Sequence, residues 1–426
     1  MPNFDIYVAP FTIAPGETKN IDVCLRNPGK LVTGLQLDVT LPEGLEFAKT
    51  SRGKYIISCA ERAWDHVTNA ALQGDGSVRF LIYSNNNSEF DYEEGAVMKL
   101  KVKASDSMPA GVYTLTAKNL EGALTSIEAV RPAANSTSII CGNPDEASVS
   151  LTGYYEAAEL ADFAAALTSE KITGVDFSNA YIMDESKTFE VTNPNALIYL
   201  NAGQGLANTK NLVVGTSCDN LVLVDGHDFT AEKDFTATAA SYTRSMTANG
   251  WFSLCVPFEV TTFPMNTTVY DVESIDESAQ RVAIAATSMI GADSPVIFNW
   301  AGNSGEFKLN VSNAAVKTTS SASLTNGLLS GTYLNGEAGS LIGKYALRAD
   351  GTGFGRCTAT AYGVPFRAFL NTISPASFIS IYDPITGIGF IENDNEKTSG
   401  YDLLGRPVSK PTQGIFIING KKEIIK

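Results

Sequence analysis

The sequence is poor in the residues on which most hydrolytic and metal-dependent enzymes rely. It contains two histidines, His66 and His227, and three tryptophans among 426 residues. It has no Gly-x-Ser-x-Gly turn, no His-Glu-x-x-His helix and no phosphate-binding glycine loop. A polysaccharide hydrolase usually lines its cleft with aromatic side chains, and three tryptophans are few for that purpose. The composition favours a protein without catalytic activity, although the 46 acidic residues leave a catalytic carboxylate pair open.

Basic clusters and long apolar runs are also missing. The formal net charge is −15, and no cluster of Lys and Arg precedes Lys421 and Lys422. This disfavours nucleic acids and anionic lipid surfaces as partners. No stretch reaches the roughly 18 apolar residues that a membrane-spanning helix requires. The first residues do not read as a signal peptide, so for an exported protein we expect the signal to have been removed.

The six cysteines are far apart, and no two of them form a Cys-x-x-Cys pair. This spacing excludes a zinc ribbon and a thioredoxin-type redox motif. Most of the cysteines lie within apolar, strand-like runs, as Cys24 and Cys255 do. We therefore expect buried free thiols with at most one disulfide, no metal site built on cysteine, and no cofactor.

What the sequence does contain is short strands, and the first predicted domain, residues 1–145, is made of them. Residues 19–25 and 35–41 alternate apolar and polar side chains, which is typical of half-buried strands. Residues 73–76 predict a hairpin turn before the apolar run at 78–83. About seven to nine such strands at short, regular spacing predict a β-sandwich.

Three motifs in this domain resemble the start of a cohesin module. They are Pro-Gly-Glu-Thr at 15–18, Thr-Gly-Leu-Gln-Leu-Asp-Val at 33–39 and Leu-Pro-Glu-Gly-Leu-Glu-Phe at 41–47. Residues 79–84 and 95–100 fit the same order. The resemblance implies a sandwich that binds dockerin modules, in a wider fold family that includes carbohydrate-binding modules. No dockerin-type calcium loop (Asp-x-Asn-x-Asp-Gly) occurs, so this chain does not carry its own dockerin.

The second predicted domain, residues 146–240, differs in pattern. Residues 156–167 predict a helix, since they are rich in good helix formers and place Leu160, Phe163 and Leu167 on one face. Short apolar strands are then predicted, each beginning near an Asn, Gly or Ala, at 174–177, 196–200, 211–214 and 220–224. Their spacing suggests a short α/β segment in which parallel strands stack as in a solenoid.

The third predicted domain, residues 241–392, is again rich in β-strands. Asn249 and Gly250 predict a tight hairpin between strands at 241–244 and 251–258, and residues 350–351 predict another. Residues 193–199, 251–258 and 365–370 resemble blocks that recur in uncharacterised Bacteroides surface proteins. This second resemblance implies a lineage and a location but no particular activity.

The last predicted unit, residues 398–426, follows a polar linker at 393–397. This unit resembles the tails of secreted and surface proteins of the Bacteroidetes. The resemblance rests on the Tyr-Asp-Leu-Leu-Gly-Arg motif at 401–406, the Gly-Ile-Phe-Ile motif at 414–417 and the basic end. Turns at Gly405 and at 419–420 predict a small β unit. The resemblance implies a secreted or cell-surface protein, and it leaves open whether the tail is a cleaved sorting signal or a permanent cap.

The loop at residues 84–94 is the best candidate binding site in the sequence. Asparagine amides hydrogen-bond well to sugar hydroxyls, aromatic rings stack on sugar faces, and carboxylates offer oxygen ligands to a structural calcium ion. The candidate ligand-binding residues are Asn85, Asn86, Asn87, Phe90, Asp91 and Tyr92. The simpler alternative is a solvated connection between two strands.

The histidines are weaker candidates. His227 could act as a base or metal ligand only with Asp225 or Asp228 beside it, and a turn histidine is the simpler interpretation. The patterns favour a non-enzymatic, exported cell-surface protein whose sandwich is a binding or adhesion module for a glycan or a protein. A scaffold component of a surface assembly is the alternative, and a carbohydrate-active enzyme is the more distant one.

Overall fold

The computed structural model describes residues 2–348, 350–372 and 374–382, together with the backbone of strands at 400–402, 407–408, 414–418 and 421–425. Strands account for 49% of the structure and helix for 4%. The prediction of a mainly β chain is therefore confirmed.

Twelve strands between residues 5 and 141 form two sheets. They are β1 (Asp5–Val8), β2 (Phe11–Ile13), β3 (Thr18–Arg26), β4 (Val32–Thr40), β5 (Leu45–Phe47), β6 (Ile57–Cys59), β7 (Val67–Leu72), β8 (Val78–Tyr83), β9 (Glu94–Ala104), β10 (Gly111–Leu124), β11 (Ala129–Val130) and β12 (Asn135–Cys141). The first sheet has the order β1-β3-β9-β5, with β6 also on β9. The second has the order β2-β12-β10-β4-β8-β7, with β11 on β10.

One hydrophobic core lies between these two sheets and is filled by the inward side chains of both. On β8, Val78, Phe80 and Ile82 are buried, whereas Arg79, Leu81 and Tyr83 are on the outer side. Phe80 is fully buried and meets Phe47 edge to face, with ring centroids 4.9 Å apart. Period-two alternation thus places one face of each strand inside, and the predicted β-sandwich is confirmed.

The turn predicted at residues 73–76 joins β7 and β8 in an antiparallel hairpin. The register pairs Leu72 with Val78 at the turn and Val67 with Tyr83 at the open end. Gly76 takes a φ of +86°, which a residue with a side chain rarely adopts. β7 is the outermost strand of the second sheet, so its free edge faces away from the sandwich.

The next part of the chain supplies a helix and six strands. They are β13 (Ser148–Tyr155), α1 (Ala157–Ala166), β14 (Gly174–Ile182), β15 (Leu197–Leu200), β16 (Leu212–Val214), β17 (Ser217–Val224) and β18 (Phe235–Met246). α1 matches the predicted helix, with a capping box formed by Glu156 and Glu159. β13 to β16 pair in parallel, as the solenoid-like pattern predicts, and β17 is parallel to β18. Between β16 and β17 the pairing is antiparallel instead.

A third group of strands completes the main body. They are β19 (Gly250–Leu254), β20 (Thr267–Asp276), β21 (Arg281–Thr287), β22 (Val296–Trp300), β23 (Gly305–Val316), β24 (Thr325–Asn326), β25 (Leu329–Thr332), β26 (Tyr345–Leu347), β27 (Gly353–Arg356), β28 (Arg367–Leu370) and β29 (Phe378–Tyr382). β23 joins the third sheet, of order β13-β14-β15-β16-β17-β18-β23. The others form the fourth sheet, of order β19-β22-β20-β21-β29-β27-β26-β28-β25-β24.

The hairpin predicted at Asn249 and Gly250 is wrong. β18 pairs with β17 and β23 in the third sheet, whereas β19 pairs with β22 in the fourth. The Asn-Gly turn therefore carries the chain from one sheet to another, because both strands have partners elsewhere. The turn predicted at 350–351 is confirmed, since β26 and β27 pair antiparallel on either side of it.

The domain boundaries remain predictions, and the one at residue 240 lies inside β18. A single buried cluster extends from Leu197 on β15 to Phe366 just before β28, and it includes Tyr242 on β18. The third and fourth sheets therefore share a core on both sides of the predicted boundary.

The backbone near the end of the chain forms a small antiparallel sheet of β30 (Gly400–Asp402), β31 (Pro407–Val408), β32 (Gly414–Ile418) and β33 (Lys421–Ile425). β32 and β33 pair from Gly414 with Ile425 to Ile418 with Lys421. The linker at 393–397, the turn at Gly405 and the turn residues Asn419 and Gly420 lie outside the described residues.

All six cysteines are free thiols, and four of them are buried: Cys24, Cys141, Cys218 and Cys255. Burial raises the pKa of Cys255 to about 12 and that of Cys218 to about 11. Because the thiolate is the reactive form, we expect these four to resist iodoacetamide near neutral pH and all six to react after unfolding. Mass spectrometry of the alkylated peptides measures this, and rapid native labelling of Cys255 would contradict it.

Candidate functional site

The predicted binding loop, residues 84–94, joins β8 to β9 and ends on Glu94, the first residue of β9. The loop is fastened to the start of β4. The Ser84 backbone N–H donates to Thr33 O (3.0 Å), and that of Phe90 donates to Val32 O (2.9 Å). The Ser84 hydroxyl accepts from the backbone N–H groups of Asn86 and Ser88. The loop is therefore an ordered projection at the end of the sandwich where β4 begins.

Five of the six predicted ligand-binding residues are exposed on this loop. They are Asn85, Asn86, Asn87, Asp91 and Tyr92. The sixth, Phe90, is buried, and its ring stacks on that of His66 with centroids 4.3 Å apart. The idea that Phe90 stacks on a ligand is therefore wrong, because only 5% of this residue is exposed. Tyr92, which is 81% exposed, presents the aromatic side chain instead.

Arg62, in the 3-10 turn Glu61–Ala63, holds this loop in place from below. Its Nε donates to Asp91 O, and its Nη2 donates to Tyr92 O and to Asn27 Oδ1. Its Nη1 donates to Leu25 O (2.7 Å) and Gly95 O (2.8 Å). A guanidinium has five N–H groups, and all of them are used here.

The Arg62 side chain is buried without a carboxylate bonded to it. Burial lowers the pKa of Arg62, and the backbone carbonyls around it take the place of water. The contact fixes the backbone on both sides of Tyr92, whose φ is +58°. Nothing in the periodicity of the sequence marks Arg62, since its acceptors are four backbone carbonyls and the Asn27 side chain, up to 37 residues away.

Exposed hydrophobic side chains surround the fastened loop. Six of the thirteen large hydrophobic residues exposed in the described part of the chain lie at this end of the sandwich: Leu31, Trp64, Val67, Tyr83, Tyr92 and Ile127. We call these six residues the end patch. Trp64 is 76% exposed and Ile127 is 96% exposed.

Backbone pairing brings the members of the end patch together. Val67 is opposite Tyr83, and Tyr83 is opposite Gly34 at the start of β4. The Thr125 N–H donates to Leu31 O, which links the turn before β11 to the residue before β4. Trp64 directly follows the turn of Arg62. The alternation of β8 could have revealed Tyr83, and Val67 lies opposite it on β7. The other four members lie outside the strands and could not be assigned to one place from sequence.

Apart from Leu81, the remainder of the outer side of β4 and β8 is polar, and its charged side chains are paired with one another. Arg79 binds Asp38 through two hydrogen bonds of 2.6 and 2.9 Å, and the Asn119 amide donates to the same carboxylate. The hydrogen bonds from Arg79 lower the pKa of Asp38 although burial opposes the shift. These charges satisfy one another, so the end patch is the part of this face that gains from leaving water.

The other candidates from sequence have structural partners. The Nδ1 of His227 lies 3.2 Å from Glu170 Oε2, while Asp225 binds Arg367 and Asp228 accepts from Asn335. His66 is buried, and its Nδ1 contacts Asp65. Among the described residues, no group of three or more His, Cys, Asp or Glu side chains is arranged to hold a metal ion. No helix in that part of the chain is long and apolar enough to span a membrane.

Comparison with known proteins gives matches at the level of solved structures. No family model matches the sequence, and no curated protein matches it. A non-cellulosomal cohesin from the archaeon Archaeoglobus fulgidus is 13% identical, with 33% of this chain and 91% of the cohesin covered and a TM-score of 0.26.

Bacterial cohesins match in the same way. A chain in the structure of a type I cohesin–dockerin complex from Clostridium thermocellum is 11% identical to this one. The match covers 33% of this chain and 99% of that chain, with a TM-score of 0.28. The cohesin module of a Clostridium perfringens family 33 glycoside hydrolase gives 11% identity over 33% and 95%, with a TM-score of 0.27. All three are cohesin domains.

Proposed function

We propose that this protein is a non-catalytic binding module that recognises another protein through the end patch. The observation that carries the proposal is the concentration of exposed aromatic and aliphatic side chains around a loop fastened by a buried arginine. Contiguous exposed apolar surface on a soluble domain marks an interaction site. Rigid presentation also reduces the entropy lost on association.

The chemistry of the end patch favours a protein over a glycan. Leu31, Val67 and Ile127 are aliphatic and cannot hydrogen-bond to sugar hydroxyls, whereas Trp64 and Tyr83 belong to the residue types enriched at the centres of protein interfaces. The amides of residues 85–87 keep a glycan as the alternative ligand. In that case, binding would depend on the loop and not on Leu31 or Ile127.

A scaffold role through self-association is the second candidate, and the free edge of β7 favours it. The strand reads Val-Thr-Asn-Ala-Ala-Leu and contains no charged residue and no proline, which are the usual protections of an edge strand. A second copy could add to this edge by backbone hydrogen bonds. Light scattering over a concentration series tests this role, and a strict monomer at high concentration removes it.

The location of the protein is part of the proposal. We infer that it is secreted or displayed on a bacterial cell surface, because the tail motif at 401–406 and the blocks at 193–199, 251–258 and 365–370 resemble those of such proteins. The tail is then either a sorting signal or a cap on the preceding strands. Mass spectrometry of the C-terminus of the natural protein distinguishes these, since loss of residues 398–426 would indicate sorting.

The interaction is tested by removing the aromatic side chains at the centre of the patch. We expect the double variant Trp64→Ser, Tyr83→Ser to bind the protein partner at least about tenfold more weakly, because such central aromatics each contribute on the order of 2 kcal/mol. The assay is affinity capture by the full chain from extracts of the producing organism, with the captured protein identified by mass spectrometry and its affinity measured after purification.

The matched control removes exposed apolar side chains elsewhere. Met265→Ser with Ile342→Ser changes two exposed residues outside the end patch and should leave binding unchanged. A glycan array is run in parallel with Asn86→Ala. If the patch variant and the control capture the partner equally well, the end patch is not the binding surface. If the wild type binds a glycan and Asn86→Ala does not, the ligand is a glycan and not a protein.

A further inference from the structure

A second site lies in the fourth sheet, far along the chain from the end patch and independent of it. A cavity of about 340 Å³ opens beside β19, β26 and β28, with residues 362–364 at its rim. This volume is within the usual range for sites that hold a small molecule, roughly 300–1,000 Å³. The cavity combines a cationic end and an apolar wall.

The cationic end is formed by Arg244, on β18. Its side chain is 11% exposed, and the guanidinium carbon lies 4.8 Å from the ring centroid of Phe252. Within the described residues its hydrogen bonding consists of one bond, from Nη1 to Ser253 O (3.3 Å). Since a guanidinium has five N–H groups, most donors of this nearly buried cation are available to a further acceptor.

The carboxylate nearest to Arg244 is already engaged by another arginine. Asp225 accepts hydrogen bonds from Nη1 and Nη2 of Arg367 and from the Tyr242 hydroxyl. Arg244 Nε is 3.8 Å from Asp225 Oδ2, which is too long for a hydrogen bond. Two guanidinium groups therefore share one carboxylate, and the cluster has a net charge of +1. Burying an unbalanced charge is costly, so the cluster favours a bound anion.

The position of Asp225 is fixed from the third sheet. Asn195 accepts from the Val224 N–H (2.7 Å) and donates to Val224 O and His227 O (both 2.9 Å). These bonds hold the loop on both sides of Asp225. Residues 251–253 and 367–369 line the cavity itself, whereas Asn195 acts on it only through the loop of Asp225.

The opposite wall of the cavity is apolar. Trp251, Leu341 and Phe369 line it and are almost buried, whereas Tyr362 stands at the mouth with 52% of its surface exposed. Such a wall removes apolar surface of a ligand from water. A ring fits this environment better than a flexible chain, because aromatic side chains pack on the faces of rings in defined arrangements.

We propose that this cavity binds a small carboxylate built on a six-membered ring, with the carboxylate paired to Arg244 and the ring packed on the wall of Trp251 and Tyr362. A planar carboxylate matches the two-pronged geometry of a guanidinium. A monoanion balances the +1 charge of the cluster, whereas a phosphate dianion would leave an excess negative charge near Asp225. Aromatic acids and sugar acids share this chemistry.

Calorimetric titration of the full chain tests the proposal and separates the two kinds of acid. The probes are phenylacetate and glucuronate, with phenylacetamide and glucose as their neutral counterparts and acetate as the anion without a ring. We expect one of the two acids to bind at least about tenfold more tightly than its neutral counterpart and than acetate. Binding of neither acid at millimolar concentration overturns the proposal, as does equal binding of acid and neutral counterpart.

Variants assign the binding to this cavity. Arg244→Gln should lower the affinity for the acid that binds by about tenfold or more and leave the affinity for its neutral counterpart unchanged. Tyr362→Ala changes an exposed position and should not affect folding. It should lower the affinities for the acid and for its neutral counterpart to a similar extent. Arg356→Gln removes the same charge from an exposed position on β27 and serves as the control. Unchanged affinity in both cavity variants would place the bound acid elsewhere and overturn the assignment.

Discussion

Replacing Arg62 with methionine is expected to lower the free energy of unfolding by about 4 kcal/mol. Methionine fills a similar volume but donates no hydrogen bond, so the carbonyls of Leu25, Gly95, Asp91 and Tyr92 lose a partner at once. Each buried acceptor left unpaired costs roughly 1–3 kcal/mol, and water entering the site recovers part of this. The loop of Tyr92 should also lose its fixed position.

Urea denaturation measures the change in the free energy of unfolding caused by Arg62→Met. Hydrogen exchange of residues 84–95 measures the loss of local order in the loop. Arg52→Met is the control, since Arg52 is exposed on the turn before β6 and its replacement should change stability by less than about 0.5 kcal/mol. If the two variants were equally stable and residues 84–95 exchanged at the same rate in both, the hydrogen bonds of Arg62 would not hold the loop. Faster exchange with unchanged global stability would confine their role to the end patch.

Replacing Asp225 with asparagine is expected to cost about 3–5 kcal/mol, because the change leaves two arginines with no carboxylate between them. Asparagine has nearly the same shape, so the loss reports on charge and not on packing. Arg367, Arg244 and the Tyr242 hydroxyl all converge on this side chain. Because Asp225 also links the loop before β18 to β28, we expect the third and fourth sheets to be loosened together. Thermal and urea unfolding of the variant measure this.

The contribution of Asp225 to the stability of the fold should decrease at low pH. Burial raises its pKa, but the hydrogen bonds and charge of Arg367 outweigh burial, so the pKa lies below the ordinary value. A carboxyl group with a lowered pKa stabilises the fold above its ordinary pKa of about 4 and loses that contribution as pH falls further. The stability gap between the wild type and Asp225→Asn should therefore narrow below about pH 4. Asp219→Asn, at an exposed position, is the control and should change stability by less than about 0.5 kcal/mol.

Local pattern predicted the strands well where one face is buried. The alternation at 78–83 follows directly from the pleat of β8, and the helix at 156–167 matches α1 because its apolar stripe and acidic start agree. The Asn-Gly dipeptide at 249–250 misled because it specifies a turn and not the partners of the flanking strands. Those partners, β23 and β22, lie tens of residues further along and are chosen by the packing of the sheets.

The exposure of the loop at 85–92 was predicted from sequence, whereas the burial of Phe90 within it was not. The run of asparagines at 85–87 marks an exposed loop, and the loop is exposed. Phe90 faces the core because His66 and the start of β4 are beside it, and a hydrophobic residue between polar ones carries no sign of which way it points. Arg62 was not predicted because its acceptors lie up to 37 residues away along the chain. Arg244 was not predicted because Ser253, on the next strand, and Asp225, before its own strand, come together beside it only in the folded protein.

The path of β18 has a consequence for how this protein can be divided. One half of the strand belongs to the predicted second domain and the other half to the third, and the whole strand is needed by β17 and β23. A gene fragment ending near residue 240 would expose the core that both sheets share. The strands on both sides of residue 240, from β15 to β28, should therefore be expressed together, because a cut between them opens the core that they share.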